Sequence, residues 1–433
     1  VGDRVLITGG AGFIGSHVAD ELLAHGYRVR ALDNLTPQVH AGPPDHGLQD
    51  GDPGARPVYL QRDVELVVGD VRDPDVTARA LEGVDLVVHL AAAVGVGQSM
   101  YQIAHYTSTN TAGTGILLEA LAAHPVRRLV VASSMSIYGE GLYADATGAP
   151  VGTVRRDLAS LRQGQWEPCD SDGAPLLPLP TPESKAPVLE SVYALSKFDQ
   201  ERLCLMVGRA YGIDTLALRF FNVYGPRQSL ANPYTGVLAI FAARLLAGKP
   251  PLINEDGLQR RDFVSVHDVA RACRLALERQ ETSLTGDATA SVLNIGSGVS
   301  LSILEVAQRL AGALDLAIEP EITGRYRVGD IRHCFADISL ARATLQYEPL
   351  VRFEDGVTEL ADWLAQQGAV STAATASALR STVAATADPT EVAQAELAVR
   401  GLSIATTGRD DGPKPDLVAS GEKVTMLSSG GAR

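Results

Sequence analysis

Short apolar runs, each closed by a glycine or a polar residue and followed by apolar positions at helical spacing, recur through the first 220 residues of the chain. The first is the most regular. Val5-Leu6-Ile7-Thr8 is apolar, Gly9-Gly10-Ala11-Gly12 breaks the run, and Phe13, Ile14, Val18 and Ala19 then follow at helical intervals, which predicts strand, turn and helix. Further strands are predicted over 27–32 with Asp33 at the end, over 65–70 with Asp70 at the end, and over 85–90, running into Ala91-Ala92-Ala93. Residues 100–123 predict a long helix with Tyr106, Asn110, Leu117, Leu118 and Leu121 turned inward, and 127–134 predict a strand ending in hydroxyls. Such alternation predicts an α/β fold, a doubly wound parallel sheet covered on both faces. Ligands of these sheets sit outside the carboxyl ends of the strands, where Asp33, Asp70, Ala91 and Ser134 fall.

Two stretches interrupt the pattern. Residues 34–54, rich in Pro, Gly, Asp and His, predict a surface loop, and 140–190 lose periodicity altogether, which predicts a lid or a poorly ordered insertion. Regularity returns with a helix from 191 to about 211 and a strand over 215–220. Shorter mixed elements then follow: helices near 237–247, from 267 and over 302–313, and strands near 262–264 and 292–295. The expected organisation is a nucleotide-binding domain over 1–220 with insertions near 37–57 and 140–190. A smaller mixed α/β substrate domain over 221–368 returns some segments to the first. Residues 369–433, mostly Ala, Ser, Thr and Gly, lack the large apolar side chains a core needs and predict a disordered tail.

Composition narrows the partners. The net charge of -14 over 433 residues, without a basic cluster, argues against nucleic acid or an anionic membrane surface. Cys169, Cys204, Cys273 and Cys334 have neither metal-ligand nor redox spacing, so no metal is expected and reduced thiols in the cytoplasm are. No apolar run approaches a membrane span, and no leader-like segment precedes the first strand.

The glycine turn carries the first chemistry. Gly9 permits a tight turn, Gly12 leaves room for a pyrophosphate, Gly15 lets helix and strand pack closely, and the helix N-terminus faces the anion. Asp33, about twenty residues on, is placed to bond adenosine ribose hydroxyls and repel a 2′-phosphate, so a bound dinucleotide, NAD rather than NADP, is expected. Tyr193 and Lys197 are four apart on a predicted helix and share a face. An ammonium near a phenol favours the phenolate, and Ser134 at a strand end could hold a sugar oxygen against it. His89, inside an apolar strand, reads as a packed core residue.

These residues together resemble the extended short-chain dehydrogenase/reductases of the NAD-dependent epimerase/dehydratase family. The likeness covers about residues 3–367. It runs through Gly9-x-x-Gly12-x-x-Gly15, Ser133-Ser134-Met135-Ser136-Ile137-Tyr138-Gly139, Tyr193-x-x-x-Lys197, 219–226 (Arg-Phe-Phe-Asn-Val-Tyr-Gly-Pro) and Arg261-Asp262-Phe263-Val264. It implies a Rossmann domain, resident NAD, a nucleotide-diphosphate sugar as substrate and a homodimer. It further implies a catalytic set of Ser134, Tyr193 and Lys197. Cofactor contacts would come from Gly9, Gly12, Phe13, Ile14, Gly15, Asp33, Asp70, Val71, Ala91, Ala93, Asn110, Tyr193 and Lys197, with Asn110 supporting the lysine. Ser134, Asn222, Arg261 and Arg327 would hold the substrate, the arginines pairing with its phosphates.

The resemblance also bears on the reaction. Relatives that eliminate water carry an Asp-Glu pair just after the serine, where this chain has Met135 and Ser136. What remains is oxidation and rereduction at one carbon, a 4-epimerisation, with dTDP-L-rhamnose or a UDP-hexose as the expected substrate. Cys334 stands where some relatives place a tyrosine that limits the hexose pocket. A dehydratase or decarboxylase of the same family, or a non-catalytic NAD-sensing protein, stays open as the alternative.

Overall fold

The computed structural model describes residues 2–40, 56–229, 236–280, 291–327 and 329–368. Most of the loop expected at 34–54, and all of the tail expected at 369–433, lie outside these residues.

Seven strands form the central sheet: β1 (Arg4–Thr8), β2 (Arg28–Asp33), β3 (Glu65–Val68), β4 (Leu86–His89), β5 (Arg128–Ser134), β6 (Asp214–Phe220) and β7 (Val292–Ile295). They pair in parallel in the order β7-β6-β5-β4-β1-β2-β3. The order reverses between β1 and β4, and that reversal opens the crevice in which doubly wound sheets take their ligands. Along β1, Val5 and Ile7 enter one core while Leu6 enters the other, and none of the three is exposed. Burial on both faces is why the run reads as continuously apolar rather than alternating. Each such side chain contributes about 1.5–3 kcal/mol.

One core is closed by the helices Phe13–Ala24 and Val266–Glu278, which supply Val18, Leu22, Val269 and Ala272. The other is closed by Gly113–Ala123 and Val192–Tyr211, through Leu117, Leu121 and Cys204. A third cluster, around Phe241, Phe263, Leu310 and Leu360, joins the helices Val237–Leu246, Ile303–Ala313 and Phe353–Gly368 to the strand Arg260–Ser265. That strand pairs with Asn222–Tyr224, Ser300–Ser302 and His333–Cys334. The segment 292–295 extends the central sheet as its seventh strand, beside β6.

Two expectations require correction. The region 100–123 is not one helix: Ile103–Tyr106 leads through a π-helical turn, Thr107–Ala112, into Gly113–Ala123. A Cβ on Gly113 would lie 2.8 Å from Val71 Cγ1, so the helix is pressed against the segment after β3, and the wider turn before it swings Asn110 fully inside. Four threonines at 107, 109, 111 and 114 also make this a poor stretch for uniform α-helix.

The stretch 140–190 holds three short strands and a short helix. Leu142–Ala144 pairs antiparallel with both Pro150–Val151 and Leu177–Leu179, and Tyr143, Val154 and Leu176 form a small core beneath them. Charge fixes this piece to the rest. Arg332, which has no exposed surface, reaches Glu167 at 2.5 Å, Glu255 at 3.0 Å and Asp256 at 2.7 Å. Arg156 bonds Glu255 at 2.7 Å and Glu140 at 3.3 Å. Sequence periodicity misses this because a few ion pairs between distant segments replace the apolar stripe.

Removing one member of a buried ion network leaves its partners uncompensated. Arg332→Ala is therefore expected to cost about 3–5 kcal/mol, read as a lowered urea midpoint. Burial opposes ionisation of Glu167, but hydrogen bonds from His333 and Arg332 outweigh it and hold its carboxyl at about 2 against an ordinary 4.5. A lowered acid pKa gives stability that is present above 4.5 and lost as pH falls toward 2. Glu167→Gln should flatten the acid loss of stability in that window, as followed by denaturation at graded pH.

Candidate active site

The glycine turn leads directly into a helix N-terminus. Gly9 has φ +71°, its N–H donates to Leu32 O at 2.7 Å, and a Cβ there would strike the Ala91 backbone at 2.9 Å. A Cβ on Gly15 would come within 2.2 Å of Gly9 O, so only glycine lets the helix seat this close. At Gly12, by contrast, the nearest atom would be Gly9 O at 3.3 Å, and the space before the first helical turn, Phe13 and Ile14, is open.

Asp33 ends β2 under this turn. Its Oδ2 accepts from Ala11 N at 3.0 Å and its Oδ1 from Leu35 N at 2.9 Å, with His40 Nε2 3.2 Å away. Tyr59 closes the group, donating to Ala11 O at 2.8 Å and standing 3.1 Å from His40 Nδ1. His40 and Tyr59 escape sequence reading because neither lies in a motif. Asp70 faces Arg72, which bonds it at 2.7 and 2.9 Å, and Asn34 adds 3.2 Å. The hydrogen bonds from Arg72 hold the Asp70 carboxyl at about 2, so its expected place against adenine is shared with an arginine. Val71 is buried in the core against Gly113.

Ser134 ends β5, and Ser136 donates its hydroxyl to Ser134 Oγ at 2.9 Å. Ser134 Oγ also accepts from Ser136 N at 3.2 Å, and the Ser134 hydroxyl lies against the Tyr193 phenol and lowers its pKa. Tyr193 opens the helix Val192–Tyr211. The Ser191 hydroxyl caps it, accepting from Ala194 N at 3.1 Å, and Ser99 accepts from Tyr193 N at 3.0 Å. The bidentate pair of Arg219 with Glu201, at 2.7 and 3.0 Å, and Ser133 donating to Glu201 at 2.6 Å, bind this helix to β5 and β6.

Tyr193 and Lys197 have different hydrogen-bond partners. Burial raises the Tyr193 pKa, and the bond with Ser134 partly offsets it. The ammonium instead donates to Gln200 Oε1 at 2.5 Å. Burial brings Lys197 down to about 8, against smaller upward pulls from Cys204 and Glu201. Helical spacing put both groups on one face, but it could not say which way a four-carbon chain would bend.

Asn110 ties two segments of the site together. It accepts from Ala93 N at 2.7 Å, donates to Ala93 O at 3.0 Å and to Ser196 Oγ at 2.9 Å. It thus ties the segment after β4 to the turn between Tyr193 and Lys197 without touching the ammonium. His89 is buried as expected, its pKa lowered by burial to about 3, with Thr8 and Thr114 on its two ring nitrogens at 2.7 and 2.8 Å.

On the other side of the crevice, Ser134 pairs with Phe220, and Asn222 follows two residues later. Asn222 Oδ1 is buried without a hydrogen-bond partner, as suits a group awaiting a ligand. Arg261, on the adjoining strand, is turned to the carbonyls of Arg260, Ile331 and Arg332. Arg327 lies in the segment between the strands Glu321–Ile322 and His333–Cys334. Cys334 is buried with its sulfur 3.9 Å from Thr181 Oγ1, and burial pushes its thiol up to about 12. Among the described residues no group of His, Cys, Asp or Glu could hold a metal, and no helix is long and apolar enough to cross a membrane.

A doubly wound parallel sheet, a glycine turn and a serine–tyrosine–lysine set at the strand ends define a nucleotide-binding protein of the short-chain dehydrogenase/reductase kind. The chain belongs to the NAD dependent epimerase/dehydratase family, whose model matches residues 5–155 and 173–296. It is 37% identical to a dTDP-L-rhamnose 4-epimerase of Burkholderia thailandensis over 370 residues, 84% of this chain and 96% of that protein. With the UDP-glucose 4-epimerase of Mycolicibacterium smegmatis it shares 31% identity over 83% of this chain and 98% of the other. Among solved structures, the UDP-glucose 4-epimerase of Thermus thermophilus in complex with NAD is 30% identical, with a TM-score of 0.63 over 84% of this chain and 99% of that one. The Thermotoga maritima UDP-glucose 4-epimerase with UDP-glucose is 29% identical, with a TM-score of 0.66 over the same shares.

Asn110, itself fully buried, makes three hydrogen bonds from one side chain. Asn110→Ala should cost about 1–3 kcal/mol by leaving Ala93 unsatisfied, measured by chemical denaturation.

Proposed function

We propose that this protein is an NAD-dependent nucleotide-sugar 4-epimerase, and that dTDP-L-rhamnose, the substrate named for the Burkholderia relative, is the first candidate, with UDP-hexoses next. The observation that carries the reading is the meeting of Ser134, with Ser136 on it at 2.9 Å, and the Tyr193 phenol at the carboxyl end of β5. NAD fits the cleft: Gly12 leaves the loop face open, the helix N-terminus offers N–H donors to a diphosphate, and Asp33 offers acceptors to ribose hydroxyls. When bound, NAD supplies the removal of a hydride from the sugar and its return.

The rest is the work of the chain's own residues. Tyr193 as phenolate takes the proton of the sugar 4-hydroxyl, and returns it once the 4-keto sugar has turned its other face. Ser134 holds the reacting oxygen, and Lys197 supplies the positive potential that favours the phenolate. Asn222, Arg261 and Arg327 would anchor the diphosphate while leaving the hexose free to rotate. On this reading residues 1–220 mainly hold the dinucleotide and 221–368 mainly the sugar nucleotide. The expected homodimer and cytoplasmic location belong to the same proposal.

Elimination of water is disfavoured by the acids available. After Ser134 the first carboxylate is Glu140, and Tyr143 at 2.7 Å, Arg332 N at 2.7 Å and Arg156 already occupy it. Met135 and Ser136 cannot supply an acid–base pair at neutral pH.

Incubation with dTDP- and UDP-sugars, followed by mass spectrometry and NMR, is expected to give an isomer of unchanged mass. Loss of water or carbon dioxide would replace epimerisation by the dehydratase or decarboxylase reading. Tyr193→Phe should lower kcat by about 10²–10⁴ while NAD content, measured after denaturing release, stays at the native level.

A further inference from the structure

A buried cation is ordinarily matched by a carboxylate. Lys197, 3% exposed, is not. Its hydrogen-bond acceptor is the neutral side-chain amide of Gln200, which has no exposed surface. The orientation of that amide is dictated from its other end. Gln200 Nε2 faces Thr114 Oγ1 at 2.9 Å, Ala91 O at 3.3 Å and His89 Nε2 at 3.1 Å. Thr114 has committed its own hydroxyl proton to Asn110 O at 2.6 Å, so it meets Gln200 as an acceptor. The amide nitrogen must therefore point to β4, and the amide oxygen to the ammonium.

The ionisable groups around Lys197 leave its charge standing. His89, on β4, titrates near 3 and is neutral. Burial holds Cys204, one turn further along the helix from Gln200, near 12, so that it too is neutral. Glu201 is a carboxylate that acts on Lys197, and the Arg219 guanidinium and Ser133 hydroxyl engage both of its oxygens. Tyr193 lies one turn before Lys197 on the same helix face.

We propose that Gln200 is the positioning residue of Lys197, and that an amide at this place, where a carboxylate would fit, keeps the buried cation uncompensated for the hydroxyl groups presented in the cleft. This rests on the epimerase reading for its consequence on rate. The arrangement itself is independent of it. An oxygen acceptor is needed because an ammonium without any would lose its proton in so dry a place. A charged acceptor would satisfy Lys197 so well that little potential would reach Tyr193. Gln200 therefore sets the protonation of the phenol without touching it.

Gln200→Glu has the same shape and adds only the charge. In the NAD-loaded protein it is expected to move the acid limb of the kcat profile upward by about one pH unit, with KM unchanged and activity recovering toward alkaline pH. Ultraviolet difference absorbance, referenced to Tyr193→Phe, should show the phenol titrating higher by the same amount, whether or not a substrate is known. A folded, NAD-loaded Gln200→Glu protein with a native pH profile and a native phenol titration overturns the proposal. If this variant does not fold, Gln200→Met decides: a fall in kcat of about tenfold or more at unchanged KM supports it, and kcat within twofold of native overturns it. Native protein inactive on every nucleotide sugar would defeat the epimerase reading alone, since the phenol titration still tests Gln200.

Discussion

A single hydrogen bond, from the Lys197 ammonium to Gln200 Oε1, gathers the polar interior of this molecule around it. Taking an ammonium out of water is among the costliest acts of folding, and it is tolerable only where acceptors are fixed in advance. Here they are fixed by strand ends: Thr8 of β1 holds His89 of β4, Thr114 joins His89 to the inner helix, and Gln200 spans them. Because Thr8 immediately precedes Gly9, the phosphate turn and the lysine helix share one rigid polar seam. Satisfied networks of this kind stiffen one another, and a gap in any member exposes the rest.

The seam explains why the site is built on strands and helices rather than on loops. Ser134 closes a strand whose side chains are buried throughout, and Tyr193 opens a helix held by Ser191, Ser99 and the Glu201–Arg219 pair. Neither residue can move without disturbing a core. The piece over 140–190 completes the frame from outside, docked through Arg156 and Arg332 rather than through apolar area. Two of its acidic residues, Glu140 and Glu167, are thereby committed to structure.

The family model passes over residues 156–172, the part of this docked piece that contains Arg156 and Glu167. Those two side chains make the charge contacts to Glu255 and Arg332.

What the sequence determined by itself was whatever depends on neighbours along the chain. The inner strands read correctly because burial on two faces leaves continuous apolar runs, and the glycine turn because Gly9, Gly12 and Gly15 keep a fixed spacing along the chain. The spacing of Tyr193 and Lys197 gave a shared helix face for the same reason. Tertiary structure alone decided the direction of the Lys197 side chain, the π-helical turn that buries Asn110, the grip of His40 and Tyr59 on Asp33, and the order in 140–190. Each depends on groups tens to hundreds of residues apart, such as Arg332 and Glu167 or Gln200 and His89. Hydrogen bonds and ion pairs impose no period on the sequence, so nothing in the chain announces them until the sheet has brought their partners together.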